Sequence, residues 1–124
     1  MRFDWTEFLV LARDLWKSPS RSYSLEAACR TSVSRAYYAA FCQVRNYAER
    51  NFGFMRTKTG RDHKLLRKFL LDQKHDHSWQ EIAELLEDLQ MWRGKCDYDD
   101  EMDNLDVLVS SAIETAEKII EQCR

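Results

Sequence analysis

Helix breakers are scarce in this chain of 124 residues, which holds one proline and three glycines. That scarcity, with many Ala, Leu, Glu, Lys and Arg, favours a nearly all-helical protein over a strand-rich one. No cysteine pair is spaced as CxxC. Cys29, Cys42, Cys96 and Cys123 lie far apart, which reads as a reducing compartment and no structural zinc, with disulfide pairing left open by the sequence. No stretch approaches the apolar length that spans a membrane. The start MRFDWTEFLVLARDLWK is interrupted by Asp4, Glu7, Arg13 and Asp14, so it lacks the unbroken apolar region of a signal peptide. A cytoplasmic protein with no membrane association is expected. An excess of one charge is missing too. The formal charge of -2 argues against wholesale binding of duplex nucleic acid through a basic surface, and leaves room for a local basic groove. A single domain over residues 1–124 fits this length, with roughly two thirds of the extended chain's surface buried on folding.

What is present is helical periodicity in five segments. Asp4 and Glu7 resemble a helix cap, and Trp5, Phe8, Leu9, Ala12, Leu15 and Trp16 then form one apolar face. Ser18, Pro19 and Ser20 end that helix. The second segment runs from about Ser22 or Ser24 to Asn51, and its run AYYAAFC, Ala36 to Cys42, is apolar or aromatic all round, as in the centre of a bundle. A glycine-containing connection follows, then a third helix from about Asp62 to Gln73. Ser78 and Glu81 make a capping box for a fourth helix, which ends at Gly94 or a few residues later, and a fifth runs from about Asp100 to Cys123. Short turns between successive long helices predict an antiparallel bundle of four to five helices.

Several residues carry chemistry at these spacings. Arg35 directly precedes the apolar run: either its stem covers apolar surface while its head reaches water or a carboxylate, or it serves a functional cleft. Tyr37 and Tyr38 read as core tyrosines with satisfied hydroxyls or as members of that cleft. Arg56, Lys58, Arg61, Lys64, Arg67 and Lys68, opposed only by Asp62, form the one concentrated positive patch. Such a run is either a solvated face or a surface that attracts a phosphate backbone or an acidic protein. His63 lies inside the patch, where neighbouring cations favour its neutral form, and is the better acid–base candidate. His75 and His77 supply too few ligands for a metal site, so no metal and no cofactor is expected. Asp97, Asp99, Asp100, Glu101, Asp103 and Asp106 read as a solvated helix start favoured by the helix dipole, with divalent-ion binding as the other reading. If the positive and negative runs occupy different sides they can drive self-association or partner docking; if adjacent, they neutralise each other.

The segment SRAYYAAF (Ser34 to Phe41), the later His63 and LQMWRGKCDY (Leu89 to Tyr98) together resemble the HEPN family, in its small stand-alone prokaryotic branch. The resemblance covers about residues 5 to 120. It implies an antiparallel bundle of four or five helices that commonly dimerises. Many relatives are metal-independent ribonucleases or toxins encoded beside a minimal nucleotidyltransferase that acts as antitoxin, and others are non-catalytic binding domains. The catalytic branch uses an Arg and a His with four to six residues between them, brought together across a dimer interface. There the cation stabilises charge on the transferring phosphate, and the imidazole assists attack by the RNA 2′-hydroxyl.

Arg93 falls on the family's arginine, but after four intervening residues stands Tyr98, and Asp97 precedes it. A neutral tyrosine, with a reference pKa of about 10, is a poor base near pH 7. It can instead position a phosphate or stack on a base. Arg56 and His63 have six residues between them and form a weaker substitute pair. The resemblance implies a HEPN-like component of a toxin–antitoxin or defence system that binds a nucleotidyltransferase partner and nucleotide or RNA. The alternatives are a metal-independent endoribonuclease at a dimer groove, with Arg93, Tyr98, Asp97 and His63 as its residues, and a non-catalytic homodimeric adaptor. Arg35, Tyr38, Arg56, Lys58, Arg61 and Lys64 are the expected binding residues.

Overall fold

A computed structural model describes residues 2–74 and 76–124. Five α-helices account for the regular structure of these residues, with no strand among them: α1 (Glu7–Lys17), α2 (Leu25–Phe52), α3 (Asp62–Leu71), α4 (His77–Tyr98) and α5 (Leu105–Glu121). Helix α2 is the axis. The Ser24 hydroxyl accepts the Ala27 amide at 3.0 Å to start it, and Gly53, at φ 76°, ends it in the left-handed conformation that an L side chain resists. Ala36, Tyr37, Ala39, Ala40, Phe41 and Cys42 are all buried, so the run that is apolar all round does lie at the centre, and its alanines let neighbouring backbones approach.

Cross-helix contacts fix the directions. Arg35 meets Phe8 while Arg45 meets Trp5, and the Ser32 hydroxyl donates to the Ala12 carbonyl, so α1 runs antiparallel to α2. Arg30 meets the end of α4 and Tyr47 meets Trp79 at its start, so α2 and α4 are antiparallel. Lys118 pairs with Glu81 at 3.1 Å, which sets α5 against α4 in the same sense. The short α3 lies along α4. Within the core, Leu66 and Leu70 of α3, Leu86 and Leu89 of α4, and Ile119 and Ile120 of α5 are fully buried. No helix among the described residues is long and apolar enough to cross a membrane.

Two helix starts, those of α4 and α5, differ from the sequence expectation, and α4 ends at the later of its expected places. Helix α4 begins with the Asp76 carboxylate accepting the Ser78 amide at 2.9 Å, while Glu81 turns to Lys118, so the Ser78–Glu81 box does not form. It continues through Gly94 to Tyr98 because the Arg30 guanidinium caps its far end, donating to the Cys96 carbonyl at 3.0 Å and the Asp99 carbonyl at 2.6 Å. Helix α5 starts at Leu105 rather than Asp100, since Asn104 sits at φ 54° and breaks the helix before it. At the amino end, the Asp4 carboxylate accepts the Thr6 amide and hydroxyl at 3.0 and 2.6 Å, in line with its expected capping role, while Glu7 makes no such bond.

Candidate functional site

The aromatic run of α2 presents Tyr37, Tyr38 and Phe41, and two other helices deliver polar groups onto these rings. From the first turn of α3 comes His63. Its Nδ1 is hydrogen-bonded to the Tyr37 hydroxyl, and its ring stacks on Phe41 at 4.3 Å between centroids. From α4 comes Arg93, whose guanidinium carbon lies 5.7 Å from the Tyr37 ring centre and 5.8 Å from that of Tyr38. Arg67, one turn after His63 on the same face of α3, donates to the His63 carbonyl at 3.3 Å and to Gln90 of α4. A histidine and two arginines, from helices distant in sequence, thus surround two tyrosines.

The electrostatics follow from this packing. Burial, then the positive charges of Arg93 and Arg67, hold the His63 imidazole below its ordinary pKa, so it is neutral at pH 7. Burial raises the Tyr37 phenol, which stays protonated. With Nδ1 occupied by Tyr37, Nε2 is the remaining nitrogen. In the tautomer that donates Nδ1–H to the Tyr37 oxygen, the Nε2 lone pair is available as a base. Burial disfavours the charged Arg93, but Tyr38 and Asp97 around it more than compensate and raise its pKa. Its side chain is only 16% exposed; Nη1 donates to Asp97 at 3.2 Å, and Nε is buried without a hydrogen-bond partner.

Of the candidates named from sequence, Arg93, Asp97, Tyr38 and His63 come together, and Arg35 adjoins them with its guanidinium carbon 5.1 Å from the Tyr38 ring centre. Tyr98 does not join. It is 78% exposed, and five residues along an α-helix places it roughly 140° round from Arg93. Arg56 belongs to a different arrangement: its guanidinium is clamped on Glu49 at 2.5 and 2.7 Å and on Asn46 at 2.9 Å. The Arg56–His63 spacing therefore does not mark a pair of free groups. Lys58, Arg61 and Lys64 are exposed and form no ion pair among the described residues. No ion pair among them joins the positive run 56–68 to the negative run 97–106 either. An open cleft of ≈ 400 Å³ lies beside His63, lined by Phe41, Arg45, Arg56, Lys58 and Asp62 among others.

Asp62 organises this cleft's rim. Its carboxylate accepts the Thr57 amide and hydroxyl, each at 2.7 Å, and the Lys58 amide at 2.9 Å, which holds the loop with Lys58 at φ 64°. Burial opposes the charged form, but the hydrogen bonds from Thr57, Lys58 and Thr59 outweigh it and lower the Asp62 pKa. The resulting stability is fully present above the unfolded value of about 3.9 and is lost as pH falls through the lower folded value. Asp62→Ala is expected to cost about 2 kcal/mol near neutral pH, since it removes a buried charged acceptor and leaves the Thr57 and Lys58 amides without it. Urea midpoints measured along a pH series should show this gap closing in acid; a gap independent of pH would contradict it.

Among the described residues, no group of three or more His, Cys, Asp or Glu side chains is placed to hold a metal ion. His75, half of the HDH pair, lies outside the described residues. All four cysteines are free, and burial pushes the Cys96 thiol up to about 11 and that of Cys123 to about 12.

Arg45 carried no expectation as a site residue, and Arg67 was expected only as part of the positive patch, not beside His63 and Tyr37. Arg67 had a usable signal, its one-turn spacing from His63, whereas Arg45 reaches the cleft only through packing. No family model, no curated protein and no solved structure matches the chain.

Proposed function

We propose that the chain is a HEPN-like component of a prokaryotic toxin–antitoxin or related defence system, acting beside a nucleotidyltransferase partner and binding RNA or a nucleotide. The observation that carries this reading is the meeting of His63 and Arg93 over Tyr37 and Tyr38. The cations offer a phosphate an electrostatic partner, and the partly exposed Tyr38 ring offers a base a stacking surface, while Tyr37 is buried beneath them.

A second reading, metal-independent cleavage of RNA, is favoured by the neutral His63 beside Arg93. In that reaction the ribose 2′-oxygen bonds to the adjacent phosphorus as the bond from phosphorus to the 5′-oxygen breaks. Nε2 of His63 takes the 2′-hydroxyl proton, the 5′-oxygen takes one from water, and Arg93 stabilises the charge on the phosphate. In this reading His63 supplies the imidazole that the resemblance implies after Arg93, since Tyr98 at that spacing is remote and Asp97 is paired with Arg93.

Incubating the purified chain with labelled single-stranded RNA in EDTA separates the two. The binding reading expects retarded but intact RNA. Cleavage that disappears in His63→Ala and Arg93→Gln would transfer the assignment to the enzyme. RNA neither bound nor cut, with no capture of a co-expressed nucleotidyltransferase, would remove both.

A further inference from the structure

The meeting point of His63 and Arg93 is the middle of a larger surface. At the start of α1 and in the residues before it, Phe3, Trp5 and Phe8 form a triad of edge-on rings, with centroid separations of 4.9, 5.3 and 5.4 Å. Phe3 is 48% exposed, and Trp5 and Phe8 are partly exposed. Two arginines of α2 lie over these rings and tie them to the site. The Arg35 carbon is 4.8 Å from the Phe8 ring centre and 5.1 Å from that of Tyr38, the ring it shares with Arg93. The Arg45 carbon is 5.6 Å from the Trp5 ring centre and 5.9 Å from that of Phe41, the ring it shares with His63.

Neither guanidinium has a carboxylate within ion-pair distance among the described residues. Their side-chain hydrogen bonds go only to Ser34, at 3.3 Å, and to Asn46, at 3.1 and 3.2 Å. A guanidinium has five N–H donors, so most remain open. Aromatic faces hold these groups in place, and no carboxylate forms an ion pair with either, although Glu49 lies near enough to Arg45 to act on its charge.

We propose that α1 and α2 form a track for single-stranded RNA, with phosphates held by Arg35 and Arg45 and bases laid against the Phe3, Trp5 and Phe8 rings. The track leads into the His63–Arg93 cluster, and so rests on the RNA-binding reading of that cluster. Two other occupants fit less well. A second copy docking this face on itself would bring four guanidinium groups into one interface, with the Glu49 carboxylates beside Arg45 as their nearest offset. Duplex RNA keeps its bases stacked on each other, so the rings would find no partner, and the chain's charge of -2 gives no broad basic surface to hold a duplex.

The test uses fluorescence anisotropy with a short labelled single strand of mixed sequence and a hairpin of the same composition. The full chain should prefer the single strand. Arg35→Gln with Arg45→Gln should weaken it tenfold or more and reduce the slope of log affinity against log salt by about 0.7 for each phosphate no longer neutralised. Trp5→Leu should weaken it about fivefold or more with the salt slope unchanged, since it removes stacking and no charge. Circular dichroism verifies that each variant is folded. Should the glutamine pair fail to fold, Arg35→Lys with Arg45→Lys keeps the charge, and its expected result is the wild-type slope at reduced affinity.

The track is overturned, with the RNA-binding reading intact, if Arg93→Gln loses affinity while the track variants bind as the wild type does. Equal affinity for the hairpin overturns it too, as does a glutamine pair that dissociates a dimer without changing RNA affinity. If the unaltered chain binds no single strand, the broader reading falls with it.

Discussion

Under the proposed function, replacing Arg93 with glutamine is expected to weaken RNA binding by about 10- to 100-fold while leaving the helical content unchanged. Hydrogen bonds to a charged group contribute about 1.5–3 kcal/mol, and each 1.4 kcal/mol is tenfold in affinity. Arg93 is the cation that touches both Tyr37 and Tyr38, so its loss removes charge and stacking geometry together. The helix itself should persist. Glutamine is a good helix former, and the carboxylate left behind, Asp97, is near enough to solvent to hydrate. Arg93→Lys should recover only part of the affinity, because a point charge lacks the flat face that lies on the tyrosines. Anisotropy titrations at one salt concentration decide the matter: wild-type affinity in Arg93→Gln would remove Arg93 from the site.

The second large effect concerns the support beneath that arginine. Leu89 is fully buried in α4, one turn before Arg93 and on the same face. Leu89→Ala should cost about 2–5 kcal/mol, since the atoms removed lose burial and the surrounding core collapses only partly into the space. Set against a typical total of about 5–15 kcal/mol, that is a large share, and a fall in Tm of about 10 °C is expected. Loosening α4 on α2 also frees Arg93 from its rings, so RNA affinity should fall even at temperatures where the variant is folded. An unaltered Tm by calorimetry would mean that Leu89 is not packed as described.

How far the sequence could be read depends on the range of each interaction. Helix α2 was legible almost to the residue, because Ser24, the apolar run and Gly53 are all local signals. Gly94 left the end of α4 open by a few residues, since a glycine costs about 1 kcal/mol within a helix and usually marks an end. Here the cap comes from Arg30, on the far side of the bundle's sequence order, and no local pattern announces it. Asn104 similarly hides the start of α5 behind a run of carboxylates that reads as a helix beginning. At the site, Arg93 and His63 were each visible as unusual residues. Their union was not, because α3 and α4 bring them together only by packing on α2. Tyr98 shows the opposite failure: proximity in sequence suggested partnership, and the turn of the helix separates it from Arg93.

The ion pair between Arg93 and Asp97 has a consequence for selectivity. Under the proposed function, a phosphate that approaches Arg93 through Nη1 meets the Asp97 carboxylate already there, so binding at that nitrogen is an exchange rather than a simple addition. A singly charged ion such as acetate or chloride gains little from evicting Asp97. A polyanion whose other phosphates are held along the chain at the same time does gain. Under the proposed function, Asp97 therefore acts as a gatekeeper built into the same helix, admitting long phosphate chains and turning away the small ions that crowd a cell.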